Sequence, residues 1–176
     1  LIVNGADPDD ECTNGNCNGS GACVLASNQP NGVACINAAQ CASGNCVDSV
    51  CCDTACAETC VACSAAKKGS GSNGTCGNIK YDTDPNDECY GGGCSGSGAC
   101  AYYNGLPCAT NTDCLSTYCV DGFCCNNHCG GTCYACSAAK KGAGANGACG
   151  FIAVNTDPDN ECASGDCNGS GVCTVL

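Results

Sequence analysis

Tryptophan, methionine and arginine are missing from this sequence, and histidine occurs once. Without Trp or Met, and with only two Phe, the usual large fillers of a hydrophobic core are scarce. Val, Ile, Leu, Phe and Tyr together supply 27 of 176 residues, too few to bury one ordinary core. Without Arg, five Lys face 17 acids and the net charge is −12. That balance excludes nucleic acid as a partner, because phosphate binding needs clustered cations, and it disfavours anionic membrane surfaces. A long apolar run is also lacking. Leu1-Ile2-Val3 is too short for a signal peptide or a membrane span, so no membrane insertion is expected.

Cysteine is what the chain has in abundance, with 27 residues, beside 26 Gly. This density lies well above the roughly 10% that marks a disulfide scaffold. Glycine loses the most backbone entropy on folding, and cross-links are the available compensation. Disulfides persist in oxidising compartments, so an extracellular or cell-surface location is expected.

The cysteines repeat. Asp84–Cys100 reads DPNDECYGGGCSGSGAC, and Asp7–Cys23 and Asp157–Cys173 carry the same C-x4-C-x5-C frame after a DP-x-x-E-C lead. The cysteine spacing of Cys35–Cys76 recurs unchanged in Cys108–Cys149. By the same shift, Cys89, Cys94 and Cys100 recur at Cys162, Cys167 and Cys173. Fixed-period self-similarity signals a tandem repeat. The expected domains are a cysteine-rich module over 1–76, a second over 77–149 and a partial third over 150–176. The expected fold is a small disulfide-rich tandem repeat, elongated, made mostly of loops and short β-hairpins with one short helix per module.

Asn-Gly at Asn4, Asn14, Asn18, Asn31, Asn73, Asn104, Asn146 and Asn168 favours type I′ turns and two-stranded ribbons. The segment Cys52–Gly69 spaces Cys52, Cys56, Cys60 and Cys63 along one face of a helix. Asp53 or Thr54 would cap its start, Lys67 and Lys68 suit its C-terminal dipole, and Gly69 suits its end. Gly130-Gly131 in the second copy opposes a helix, and an irregular ladder of loops would use the same spacing.

An odd cysteine count leaves at least one cysteine without an intrachain partner. One scheme satisfying that parity joins modules through Cys76–Cys89 and Cys149–Cys162 and leaves Cys12 unpaired or intermolecular. The incomplete third module then points to continuation or to head-to-tail joining of copies, with self as the partner.

Each candidate chemistry has a structural competitor. Cys60-x2-Cys63 and Cys133-x2-Cys136 have zinc-knuckle spacing, but each module has one such pair where a site takes two; structural disulfides fit better. Calcium is the one cofactor the oxygen ligands suggest, and otherwise none is expected. Asp82, Asp84, Asn86 and Glu88 alternate, as do Asp157, Asp159 and Glu161 after Asn155, and the first copy keeps Asp7, Asp9 and Glu11. If extended, alternate residues share a face about 7 Å apart, within the scope of a site needing six to eight oxygens. The competing reading is a solvated Asp-Pro turn. His128 matches Ala55 in the first module, which argues against a shared catalytic site, and no enzyme is expected. Asn18, Asn73 and Asn168 head N-x-S/T sequons and are candidates for glycosylation. Tyr102, Tyr103, Tyr118, Phe123 and Tyr134 concentrate in the second module, either as fillers between disulfides or as a binding patch.

The runs CASGNCVDSVCCDTACAETCVACSAAKKG and CNGSGAC resemble the tandem cysteine-rich repeats of large bacterial secreted and cell-surface proteins. The resemblance covers essentially the whole chain. It implies a repetitive build and a surface location, and it brings no catalytic residues. C-x5-C-x4-C-x4-CC is similar to Dickkopf-like and knottin spacings, and C-x3-C-x3-C-x2-C to furin-like repeats. The expected function is that of an extracellular structural protein, a subunit or stalk segment of a disulfide-stabilised fibre or surface appendage. The alternative is an adhesin or ligand-binding module, calcium-dependent if the acidic leads bind the ion.

Overall fold

The computed structural model describes residues 8, 9, 12, 15–25 and 27–175. The chain forms two compact units, one of Leu1–Asn86 with Gly96–Ala99 and one of Asp87–Ser95 with Cys100–Leu176. Both are built from two-stranded antiparallel ribbons. In the first, β1 (Gly15–Cys17) pairs with β2 (Cys23–Leu25), β3 (Cys46–Val47) with β4 (Val50–Cys51), and β5 (Val61–Ala62) with β6 (Gly77–Asn78). In the second, β7 (Gly92–Cys94) pairs with β8 (Cys100–Tyr102), β9 (Cys119–Val120) with β10 (Phe123–Cys124), and β11 (Tyr134–Ala135) with β12 (Gly150–Phe151). Two-residue strands are unstable alone, so the cross-links hold them.

The interior is mainly sulfur. Ile79 and Ile152 are the bulkiest of the fully buried side chains, and apart from Ala62 and Ala135 the others in that class are cysteines. Cys35, Cys41 and Cys51 form one cluster, and Val50, Cys52 and Cys63 another. The described bridges of the first unit are Cys12–Cys23, Cys35–Cys46, Cys41–Cys51, Cys52–Cys63 and Cys56–Cys76. Those of the second are Cys89–Cys100, Cys108–Cys119, Cys114–Cys124, Cys125–Cys136, Cys129–Cys149, Cys133–Cys167 and Cys162–Cys173.

This pattern corrects the expected junctions. Cys76 bonds Cys56 and Cys149 bonds Cys129, while Cys89, Cys162 and Cys12 each close a local loop with Cys100, Cys173 and Cys23. The cause lies in the backbone. Asp53 Oδ1 accepts from Cys76 N at 2.8 Å and Asn126 Oδ1 from Cys149 N at 2.9 Å, laying each closing cysteine beside Cys56 or Cys129, with Cα separations of 5.6 and 5.5 Å. Among the described bridges, the one between residues 77–149 and 150–176 is Cys133–Cys167, which uses the middle cysteine of the third C-x4-C-x5-C frame.

The expected helix over Cys52–Gly69 is also corrected. Only its last turn forms, as α1 (Ala65–Lys68), with α2 (Ala138–Lys141) its counterpart. Cys52 and Cys63 would stand about 16 Å apart along a helix, yet their Cα atoms lie 5.9 Å apart across a disulfide. Cys56 and Cys60 take positive φ, 44° and 56°, which no α-helix accommodates. Ser64 caps α1 through its Oγ, and Gly69 ends it in the left-handed conformation at φ 73°.

Ribbons form as expected, and Asn31-Gly32 and Asn104-Gly105 sit at the centre of turns closed by Val33 N to Pro30 O and Leu106 N to Tyr103 O, both 3.3 Å, but the tight turns joining β3 to β4 and β9 to β10 fall elsewhere. The β3–β4 turn is Asp48-Ser49, with φ 53° and 63°, and the β9–β10 turn is Asp121-Gly122, with φ 56° and 77°. Positive φ at both central residues is the type I′ signature. Two pairs of Asn-Gly dipeptides instead press backbone to backbone. A Cβ on Gly74 would lie 2.1 Å from Gly32 N, and one on Gly147 2.2 Å from Gly105 N.

Candidate functional site

The same cluster of charged groups is built once in each unit, and it starts at the tight turn. Left-handed backbone at Asp48 turns its carboxylate inward, leaving the side chain 8% exposed. Oδ2 accepts from Cys63 N at 2.7 Å and Ser64 N at 3.1 Å, and Oδ1 from Lys67 Nζ at 2.6 Å. Asn73 Oδ1 accepts from Ala65 N at 2.8 Å. These oxygens satisfy the amides that a helix start leaves unpaired, and so hold α1 against the β3–β4 ribbon. In the second unit Asp121 accepts from Cys136 N at 2.6 Å, Ser137 N at 3.1 Å and Lys140 Nζ, and Asn146 Oδ1 from Ala138 N at 2.7 Å.

Burial works to raise the Asp48 carboxyl. The hydrogen bonds from Lys67, Cys63 and Ser64 outweigh it, so the group sits below its ordinary 3.8. Asp121 is lowered in the same way by Lys140, Ser137 and Cys136 against its burial. Burial would lower Lys140, but Asp121 and Asp159 raise it above its ordinary 10.5.

Each lysine then reaches the acidic lead. Lys67 Nζ donates to Asn86 Oδ1, and Lys140 Nζ to Asp159 Oδ1. The second lysine of each pair turns to its own loop: Lys68 donates to Ser72 O at 2.9 Å and to Thr75 O, and Lys141 to Ala145 O at 2.9 Å and to Ala148 O.

This arrangement engages several of the oxygens proposed for calcium. Asp157 Oδ1 and Oδ2 accept from Glu161 N and Cys162 N, both at 2.9 Å, and Glu161 Oε2 accepts from Cys133 N. Asp84, Asn86 and Glu88 are likewise engaged. Asp82 and Asn155 have φ 59°, so the leads are not extended there and alternate side chains do not share a face. Asp9 is exposed, while Asp7 and Glu11 lie outside the described residues. Among the described residues, the groups of three or more ligand atoms within 4.8 Å of one another consist of cysteines. Cys35, Cys41 and Cys51 make one and Cys52, Cys56 and Cys63 another. All are oxidised, and metal ligation takes thiolates.

Of the sequon asparagines, Asn18 and Asn73 are exposed and Asn168 is half-buried. Asn18 Oδ1 accepts from Ser20 N and Asn168 Oδ1 from Ser170 N, both at 2.8 Å, while Asn73 caps α1. His128 is exposed, with its ring 6.3 Å from that of Tyr118, and lines an open groove. Asp48 and Asp121 were not singled out from the sequence. Their signal is an aspartate at the same place in both repeats, in the short gap of CVDSVCC and CVDGFCC where type I′ geometry is demanded.

No family model matches the chain, and no curated protein or solved structure matches it either. The dense disulfide bonding fits an extracellular, disulfide-stabilised protein, and among the described residues no helix is long and apolar enough to cross a membrane.

Proposed function

We propose that this chain is a structural protein of the cell exterior, a stalk segment or fibre subunit rather than an enzyme. The observation that carries the reading is the fate of its reactive groups. Cysteines of both units are tied in bridges, the turn aspartates hold helix starts, and the lead carboxylates of the second unit hold backbone amides or Lys140. Side chains of the kind that an active site keeps poised are here committed to holding loops together. The pairings of Cys35–Cys46 through Cys56–Cys76 recur in the second unit, from Cys108–Cys119 to Cys129–Cys149, which supports a build extended by repetition.

Small-angle scattering and negative-stain microscopy of the purified chain test this. An elongated particle, single or joined end to end, is expected. A compact sphere at every concentration would refute the stalk reading.

A further inference from the structure

Over residues 108–151, and besides Phe123 in place of Val50, the second unit carries four rings at positions where the first repeat has none. Tyr118, His128, Tyr134 and Phe151 stand where the first repeat has Asn45, Ala55, Val61 and Asn78. Two of the four have a structural explanation. Tyr134 and Phe151 face each other across β11–β12, with ring centroids 4.9 Å apart, and such cross-strand aromatic pairs stabilise ribbons. Gly171 closes one edge of the pair, where a Cβ would stand 2.9 Å from both rings.

Tyr118 and His128 belong to no ribbon pair. Both are exposed, and their rings approach each other to 6.3 Å. His128 joins Asn127, Gly130, Gly131 and Tyr134 in lining an open groove of about 590 Å³. The corresponding groove in the first unit holds about 390 Å³ and is lined by Thr54, Ala55, Ala57, Glu58 and Val61 among others, with no ring. The change extends to the backbone. Gly130 and Gly131 stand where the first copy has Ala57 and Glu58. A Cβ on Gly130 would lie 2.8 Å from the His128 ring, and one on Gly131 2.5 Å from the Tyr134 ring. Glycine here costs backbone entropy, and what it gives is room for two rings to lie against bare backbone.

The charge of the protein argues against one class of ligand. The chain has no Arg and a net charge of −12, which disfavours an anionic ligand. The groove itself offers aromatic carbon, an imidazole, the Asn127 amide and uncovered peptide groups. Mostly apolar walls with a few polar groups that fix orientation are the general form of a small-ligand site. Tyrosine and histidine present an apolar body and a polar tip. A sugar ring matches both, with a C–H face for the aromatic carbon and hydroxyls for the imidazole and amide. We infer that this groove of the second unit binds a neutral polysaccharide through His128 and Tyr134, with Tyr118, whose ring lies beside that of His128, extending the contact past the groove's edge.

The test is retention of the full oxidised chain on insoluble cellulose, chitin and starch, with polygalacturonate as the charged comparison. Retention on at least one neutral polymer is expected, reversed by its soluble oligosaccharide. Tyr118→Ala and His128→Ala, both at exposed positions, should each weaken it about tenfold, as loss of an aromatic contact does, with the thermal midpoint unchanged. Ala55→Ser, in the groove of the first unit, should leave retention intact. Retention on none of the neutral polymers overturns the proposal, as does equal retention of both ring variants or a preference for polygalacturonate. The stalk reading stands or falls separately, on particle shape.

Discussion

At the scale of single residues, the two turn aspartates matter most. Asp121 is bound by two amides and an ammonium while its side chain is 10% exposed. Asp121→Ala would leave Cys136 N and Ser137 N without that acceptor, at a cost of roughly 2 kcal/mol, measurable as a lower thermal or denaturant midpoint. The pH dependence has a definite sign. Both aspartates sit below 3.8 in the folded chain, so their contribution is complete above that value and is lost as pH falls through the lower folded-state value. Acid also relieves repulsion in a protein of −12, so the comparison is between chains. Asp121→Asn should show a shallower loss of stability below about pH 4 than wild type; equal slopes would contradict the assignment. Glycines give a second contrast. Gly147→Ala places a Cβ 2.2 Å from Gly105 N in left-handed backbone, and should lower stability by more than about 2 kcal/mol. Gly122 has open space around it and φ 77°; Gly122→Asn keeps the turn chemistry and should cost under about 1 kcal/mol.

At the scale of elements, no strand or helix described here is long enough to stand alone, and each is stable through what clasps it. Lys140 joins the β9–β10 turn, the start of α2 and the lead at Asp159. Lys140→Gln should therefore loosen the lead more than the ribbon, because Asp121 keeps its two amide donors. Hydrogen exchange should show faster exchange at Glu161 and Cys162, whose amides are held by Asp157, with Phe123 and Cys124 little changed. Uniform loss of protection would show that the lysine supports the whole unit instead. The 3-10 turns Ala38–Gln40 and Asn111–Asp113 follow the same logic with different chemistry. Gln40 Oε1 accepts from Ile36 N at 2.7 Å, and Asp113 Oδ2 from Ala109 N at 2.7 Å and Thr110 N at 2.8 Å. The bonds to Thr110 and Ala109 hold Asp113 below its ordinary 3.8.

At the scale of the whole molecule, sulfur takes the place of an apolar core. A disulfide contributes about 2–4 kcal/mol, mainly by restricting the unfolded chain, and the described bridges close loops of 10 to 34 residues. Reduction should abolish protease resistance and the cooperative melt together. Retention of either in excess reductant would mean that the 27 Val, Ile, Leu, Phe and Tyr residues suffice, against expectation.

Composition and local turn chemistry were readable from the chain itself. Cysteine density with few apolar residues dictates disulfide stapling, glycine after Lys67-Lys68 dictates where α1 stops, and turn-rich spacing dictates short ribbons, because each depends on neighbours within a few residues. Bridge partners were not readable. Twelve cysteines per block permit many pairings, and the choice rests on which Cα atoms come within about 4.4–6.8 Å. Asp53 and Asn126 decide that by laying Cys76 and Cys149 beside Cys56 and Cys129. The acidic leads show the same divide. Alternating carboxylates look alike on paper whether they hold a cation or a lysine. Only the folded backbone, left-handed at Asp82 and Asn155 and brought under Lys67 and Lys140, turns them into acceptors for the chain's own donors.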